Sequence, residues 1–282
     1  MKTILLPTDF SKNAWNAIFT ALKLFYDLQC RFLLVHTYEP ELTNVLGDHG
    51  EKRLGAIYQS MEEDSKKKMD EILAYLKEHH RNPRHEFKTL LRPGDLIGEV
   101  RERIKKSPVD LIVMGTQGAS GAERVFLGSN TVRMLKTVKN RPVLVVPKTF
   151  DFQKLNHVVF PTDYTHYYEP YELQTLMDLL KVWKSTLHVA YAAREFKLKP
   201  AQESNKKLLE TRLKGFKVRF EEIPLEDNLP EAISDFSETL RADMIALMRH
   251  KHSFLENLTR EKVVKRIAFE SKLPLLILPQ FL

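Results

Sequence analysis

The chain has one cysteine, Cys30, in 282 residues. A single thiol excludes an intrachain disulfide and any multi-cysteine metal site, and it fits a reducing compartment. At the entrance of an apolar segment, Cys30 reads as a small buried side chain rather than a redox centre. Long hydrophobic runs are lacking too, since none approaches the ~18 residues a membrane helix needs. The chain starts directly on an apolar segment, Lys2-Thr3-Ile4-Leu5-Leu6, with no charged region leading into an apolar signal core. The expectation is a cytoplasmic, soluble protein with no membrane partner. No long basic block interleaved with aromatics is present. The net charge is +7, yet acids and lysines interleave, as in Glu62-Glu63-Asp64-Ser65-Lys66-Lys67-Lys68, the pattern of a solvated helix face with i,i+4 pairs. Nucleic acid, which would need a continuous basic groove, is not an expected partner. Anionic small ligands remain compatible.

What is present is a repeat. Ile4-Leu5-Leu6-Pro7-Thr8-Asp9-Phe10 returns as Val158-Val159-Phe160-Pro161-Thr162-Asp163-Tyr164. Val109-Asp110-Leu111-Ile112-Val113-Met114 returns as Ala242-Asp243-Met244-Ile245-Ala246-Leu247. Arg141–Pro147 returns as Leu273–Pro279. A repeat this long means duplicated domains, not solenoid units. It divides the chain into residues 1–149 and 156–282, each near the common domain size of about 140 residues, joined by a short polar stretch around Thr149–Asn156.

Apolar segments alternate with amphipathic ones. Strands are expected at 3–6, 31–37, 87–91, 110–114 and 142–146, and again at 157–160, 186–191, 216–221, 243–247 and 275–278. Helical periodicity runs through Asn13–Tyr26, from Leu54 to Leu76, through Leu96–Lys105 and through Thr131–Val138. Apolar strands joined by crossover helices give an α/β fold: two tandem Rossmann-like domains, each a five-stranded parallel sheet with helices on both faces. In such sheets ligands bind beyond the carboxyl ends of the strands, where strand order reverses. That rule selects Pro7-Thr8-Asp9, His36-Thr37 and Met114–Gly121.

The third of these is glycine-rich: Gly115-x-x-Gly118, nine residues, then Gly128-Ser129-Asn130-Thr131. Glycines let backbone approach a phosphate closely, and the free N–H groups and positive dipole of a helix opening at Ser129 favour an anion. A loop that merely turns, with Ser129 or Asn130 as an ordinary helix cap, is the other reading. Asp9, an acceptor at a strand end, suits ribose hydroxyls or an exocyclic amine, and equally suits an N-cap for the helix near Ser11–Asn13. The corresponding place in the second half lacks glycine and reads Met248-Arg249-His250-Lys251-His252, then Thr259-Arg260. That cationic cluster is either a solvated loop or an anion site built from side chains. His36 and His188 read as equivalent, partly buried histidines after each second strand. The P-loop and dinucleotide fingerprints are absent, and no nucleophile with an attendant base is legible. No catalytic and no metal residue is assigned.

Val113-Met114-Gly115-Thr116-Gln117-Gly118 through Phe126-Leu127-Gly128-Ser129-Asn130-Thr131, followed by Arg141–Pro147, resembles the nucleotide-binding branch of the universal stress protein family, with its Gly-2x-Gly-9x-Gly-Ser/Thr spacing. Pro7-Thr8-Asp9-Phe10-Ser11 and Leu34-Val35-His36 are similar as well. The whole chain resembles a tandem member whose second domain is degenerate at the glycine motif, with an adenine nucleotide alpha hydrolase-like fold. The resemblance implies that Asp9 meets the adenosine end, with Pro7 and Thr8 shaping the pocket floor. The Thr37 backbone would face the adenine edge, and Met114 and Gly115 would lie along the ribose. Gly118, Gly128, Ser129 and Asn130 would hold the phosphates, and Gln117 and Thr131 belong to the same nucleotide-binding set.

Three functions follow as expectations. One is a stress-response regulatory module that binds ATP or another adenine nucleotide and alters its contact with a protein partner. Another is a slow ATPase or phosphotransfer enzyme, with Mg²⁺ bridging phosphates near Ser129. The last is a scaffold with a structural nucleotide. The final strand of each half, Val143–Val146 and Leu275–Ile277, is apolar and bracketed by prolines. As an exposed edge it would aggregate, so the family resemblance implies antiparallel pairing, either within the chain as a pseudo-dimer or between chains as a homodimer.

Overall fold

Val143–Val146 and Leu275–Leu278 have four apolar residues each and no polar face. Such strands require cover on both sides, and the fold supplies it. A computed structural model of the chain describes residues 1–40, 50–116, 127–193, 195–225, 229–249 and 272–280, with the side chains of residues 50–53 left aside. The first half runs β1 (Lys2–Pro7), α1 (Lys12–Leu24), β2 (Cys30–Tyr38), α2 (Gly50–His79), β3 (His85–Pro93), α3 (Leu96–Lys106), β4 (Leu111–Gly115), α4 (Ser129–Thr137) and β5 (Val143–Val146). The second runs β6 (His157–Pro161), α5 (Pro170–Trp183), β7 (Thr186–Ala193), α6 (Pro200–Arg212), β8 (Lys217–Pro224), α7 (Leu229–Thr239), β9 (Met244–Met248) and β10 (Leu275–Leu278).

The strands form one ten-stranded sheet in the order β3-β2-β1-β4-β5-β10-β9-β6-β7-β8. Within each half every pairing is parallel. The halves meet at β5 and β10, which pair antiparallel with Leu144 opposite Leu276. The expected edge pairing is thus made inside the chain, and the two expected five-stranded sheets are one sheet. Successive side chains go to opposite faces. Ile4, Leu6, Leu144 and Leu276 join the core under α1, α2, α5 and α6, whereas Leu5, Val143, Val145 and Ile277 join the core under α3, α4 and α7. Each core runs through both halves.

Two sequence readings need correction. The outer strands β3 and β8 are not apolar throughout. They mix partly buried and exposed residues, because each has a neighbour on one side only and covers less of the core. The joining stretch is polar only in alternation. Phe152 and Leu155 are buried, and the Phe152 ring meets Trp183 edge-on at 5.2 Å. Asn16 of α1 donates to the carbonyls of Pro147 and Phe150 at 3.0 and 2.7 Å. Trp183 donates its indole N–H to the Leu24 carbonyl at 2.9 Å, and Lys2 pairs with Asp178 at 2.6 Å. Cys30 starts β2, fully buried, and burial pushes its thiol up to about 11, which leaves it without thiolate reactivity.

Because the join is core rather than surface, Leu144→Ala or Leu276→Ala is expected to cost about 2–5 kcal/mol and to lower the denaturant midpoint of the whole chain. Equilibrium unfolding should remain one transition. Two separated transitions, with only one moved by the substitution, would show that the halves unfold independently.

Candidate functional site

Strand order reverses between β1 and β4, and the turn after β1 is built by its own polar side chains. Thr8 N–H donates to the Val35 carbonyl at 2.8 Å, carrying the ladder one residue beyond Pro7. Thr8 Oγ1 accepts from Phe10 N–H at 3.1 Å, and Asp9 Oδ1 accepts from Ser11 N–H at 3.1 Å. Ser11 Oγ then accepts from Ala14 N–H at 3.2 Å, so Ser11 is the N-cap of α1. The cap role open to Asp9 in the sequence therefore belongs to Ser11. These bonds hold Phe10 at φ +64°, a left-handed conformation that non-glycine residues seldom adopt.

The second half reproduces the threonine and aspartate bonds of this turn. Thr162 N–H donates to Ala190 O at 2.9 Å, Thr162 Oγ1 accepts from Tyr164 N–H at 2.9 Å, Asp163 Oδ1 accepts from Thr165 N–H at 2.9 Å, and Tyr164 has φ +57°. The halves then part. Helix α5 has Glu169 as N-cap, about a turn further along than Ser11. The extra residues bury Tyr168, whose hydroxyl meets Thr162 Oγ1.

At the end of β4, Gly115 lies beside the first turn of α1. A Cβ on Gly115 would stand 2.5 Å from Asn13 Nδ2 and 2.7 Å from its Cγ. Asn13 Nδ2 reaches Thr116 Oγ1 at 3.5 Å. Gly115 is thus favoured by the Asn13 side chain that α1 lays against the end of β4, a reason that the sequence motif did not disclose. Asn13, buried in that first turn, was not singled out in the sequence. Its only signal is a polar residue on the apolar face of an amphipathic helix. Thr116 N–H continues the β4–β5 ladder to Val146 O at 3.0 Å, and its carbonyl accepts from Gly128 N–H at 2.6 Å, drawing the two ends of the glycine segment together. Thr131 Oγ1 donates to the Gly115 carbonyl at 2.9 Å.

Helix α4 begins at Ser129 with Gly128 as N-cap and no side-chain cap bond. Neither Ser129 nor Asn130 serves as the ordinary cap that the sequence left open. Both are exposed at the helix start. Met114 is buried in the core that also holds Met134, so what it can present to a ligand is backbone. Thr37, partly exposed, is the penultimate residue of β2. Gln117 and Gly118 lie outside the described residues, as do His250, Lys251, His252 and Arg260.

His36 Nδ1 lies 2.8 Å from the Thr8 carbonyl. A carbonyl can only accept, so this nitrogen carries the proton. Burial lowers the imidazole pKa below its ordinary value, against the upward pull of that bond and of Asp9. The ring is 4.4 Å from Phe10, over which Lys68 Nζ stands at 5.8 Å. The counterpart of His36 is not His188. Since Thr8 bonds Val35 and Thr162 bonds Ala190, His36 corresponds to Tyr191 and His188 to Leu33. Tyr191 indeed packs on Tyr164 as His36 does on Phe10. His188 is a core residue of β7, bonded to His157 Nδ1 at 3.1 Å and Glu221 Oε1 at 3.3 Å.

Arg249 follows neither sequence reading. Its guanidinium donates to the Leu135 carbonyl in α4 of the other half, and burial brings its pKa down to about 10.

Residues 1–147 match the sequence profile of the universal stress protein family. The chain belongs to that family. Two universal stress proteins of Methanocaldococcus jannaschii are each 28% identical to it, over 147 and 160 residues, in both cases 52% of this chain and 82% and 95% of the relative. Among solved structures, a universal stress protein from Archaeoglobus fulgidus superposes with a TM-score of 0.64 at 16% identity, covering 99% of this chain and 96% of that one. A functionally unknown protein from Pseudomonas aeruginosa superposes at 0.61 and 14% identity, covering 99% and 92%. At these identities the likeness speaks to fold, and it extends over both halves. Among the described residues, no helix is long and apolar enough to cross a membrane.

Two measurements probe the site's construction. Gly115→Ala is expected to destabilise by about 1–3 kcal/mol through overpacking against Asn13. Combining it with Asn13→Ala should recover more than about 0.5 kcal/mol of that cost, and strict additivity would exclude the clash. The second concerns pH. Burial holds His36, His80, His85 and His188 below the ordinary value of 6.5, so the unfolded chain takes up these protons first. Their neutral forms stabilise fully above pH 6.5, and that stability is lost as pH falls. The denaturant midpoint should therefore drop between about pH 7.5 and about pH 5. An unchanged midpoint would contradict the burial of these rings.

Proposed function

We propose that the first half binds ATP or another adenine nucleotide, and that occupancy changes how the protein meets a partner in a stress response. The observation that carries this reading is the start of α4. At the switch point of the sheet, a helix whose N-cap Gly128 makes no side-chain cap bond opens at the end of the Gly-2x-Gly-9x-Gly-Ser segment, an arrangement suited to a phosphate group. Gly118, Gly128, Ser129 and Asn130 would hold the phosphates, with Gln117 beside them. Gly115 and Met114 would offer backbone along the ribose, and Thr131 would support the loop from behind. Asp9, on the turn set by Pro7 and Thr8, would take the adenosine end, and Thr37 backbone the adenine edge. Mg²⁺ belongs to this reading only as a companion of the triphosphate.

The functional division we propose is 1–149 as the binding domain and 156–282 as a domain that no longer binds nucleotide. Register places Met248 where the first half has Gly115 and Arg249 where it has Thr116, and Tyr168 closes on Thr162. With β5 and β10 paired to each other, a homodimer would use other surfaces.

Calorimetric titration with ATP should give one site per chain, and two equivalent tight sites would sink the asymmetry. Gly118→Val is expected to abolish binding by filling the phosphate space. Chromatography of nucleotide released on denaturation identifies the ligand, and recovery of ADP in place of ATP would favour slow hydrolysis.

A further inference from the structure

The two halves have corresponding residues after β4 and β9, and both act on α4. After β4, the carbonyl of Thr116 accepts from Gly128 N–H at the N-terminal end of α4. After β9, Arg249 occupies the corresponding position and donates to Leu135 O near the C-terminal end. The last carbonyls of a helix lack partners within it. In α4, Met134 O takes Val138 N–H and Leu135 O takes the guanidinium. A partly buried cation at a helix C-terminus is favoured by the dipole, and the bond is charge-assisted. The second half adds another tie, Gln280 N–H to Lys139 O at 3.1 Å. Within the first half, Arg133 of α4 pairs at 2.7 Å with Asp95, the N-cap of α3. A nine-residue helix is thus held at both ends and along its flank.

We infer that Arg249 is a positioning residue for the nucleotide site of the other half: from the second half it fixes the C-terminal end of α4, and so the direction in which the first N–H groups of that helix point. The inference rests on the nucleotide-binding reading above. It gives the second half a function after the loss of its own glycine loop, because the residue standing where that loop would begin is turned onto the helix that serves the surviving site. A short helix pinned at one end can tilt, and its anion-facing N–H groups move with it. By linkage, a phosphate bound at the N-terminus of α4 must in turn strengthen the contact between the halves.

The test uses the full chain and ATP. Arg249→Met keeps the apolar stem and removes the donors, and Arg249→Lys keeps a cation. Arg249→Met is expected to weaken ATP binding about five- to tenfold, to speed amide exchange within residues 129–137 in the absence of ATP, and to leave the one-site stoichiometry intact. Arg249→Lys should recover most of the affinity, which mere filling of space would not explain. Wild-type protein that takes up no adenine nucleotide overturns the binding reading and the positioning role with it. Wild-type binding that Arg249→Met leaves unchanged overturns the positioning role alone. If Arg249→Met does not fold, Gln280→Pro, which removes the second tie, should weaken ATP in the same direction, and unchanged affinity there counts against the role equally.

Discussion

Strands β5 and β10 each carry apolar side chains on both faces, and each would be the open edge of a five-stranded sheet if its half stood alone. Their antiparallel pairing closes both edges with one set of backbone bonds, which removes an aggregation hazard. It also makes the two cores continuous across the join. The rest of the molecule depends on this arrangement. It places the end of β9 of one half close enough to α4 of the other for Arg249 to reach Leu135, and it sets α1 against the joining stretch, so that Asn16 bonds to Phe150 there and Trp183 of the second half bonds to Leu24.

The duplication has kept its turns and changed its mouths. Thr8-Asp9-Phe10 and Thr162-Asp163-Tyr164 share the backbone bonds to the threonine Oγ1 and the aspartate Oδ1 and the left-handed third residue. Such a turn is determined within four residues, so it survives divergence nearby. A lysine stands over the third ring in both halves, Lys68 at 5.8 Å and Lys206 at 5.9 Å. What differs is the start of the following helix. In the first half α1 begins at once and lays the Asn13 side chain against the end of β4, in the space that the glycine at position 115 leaves. In the second half α5 begins about a turn later, and β9 ends on a buried methionine, Met248.

Much of this was legible beforehand, and for identifiable reasons. The strands that cross the interior could be read because burial on both faces demands unbroken apolar runs. The outer strands read less well, as β3 shows, since half cover leaves a mixed and partly polar pattern with no fully buried residue. The opening of α4 at Ser129 follows from the Gly128-Ser129 pair, and the structure agrees. His36 and His188 misled because order along a chain does not give register between strands. Only the bonds from Thr8 and Thr162 to the second strand of each half show that His36 answers to Tyr191.

By itself, the sequence determined the duplication, the alternation of strand and helix, the family and the strand ends at which a ligand site could stand, because each of these is a local pattern repeated along the chain. Tertiary structure alone decided that the two edges meet within one chain, that Gly115 answers to Asn13, and that Arg249 belongs to the helix of the opposite half. Those three facts join residues more than a hundred positions apart, and no spacing along the chain encodes which backbone a buried side chain will meet once the sheet has closed.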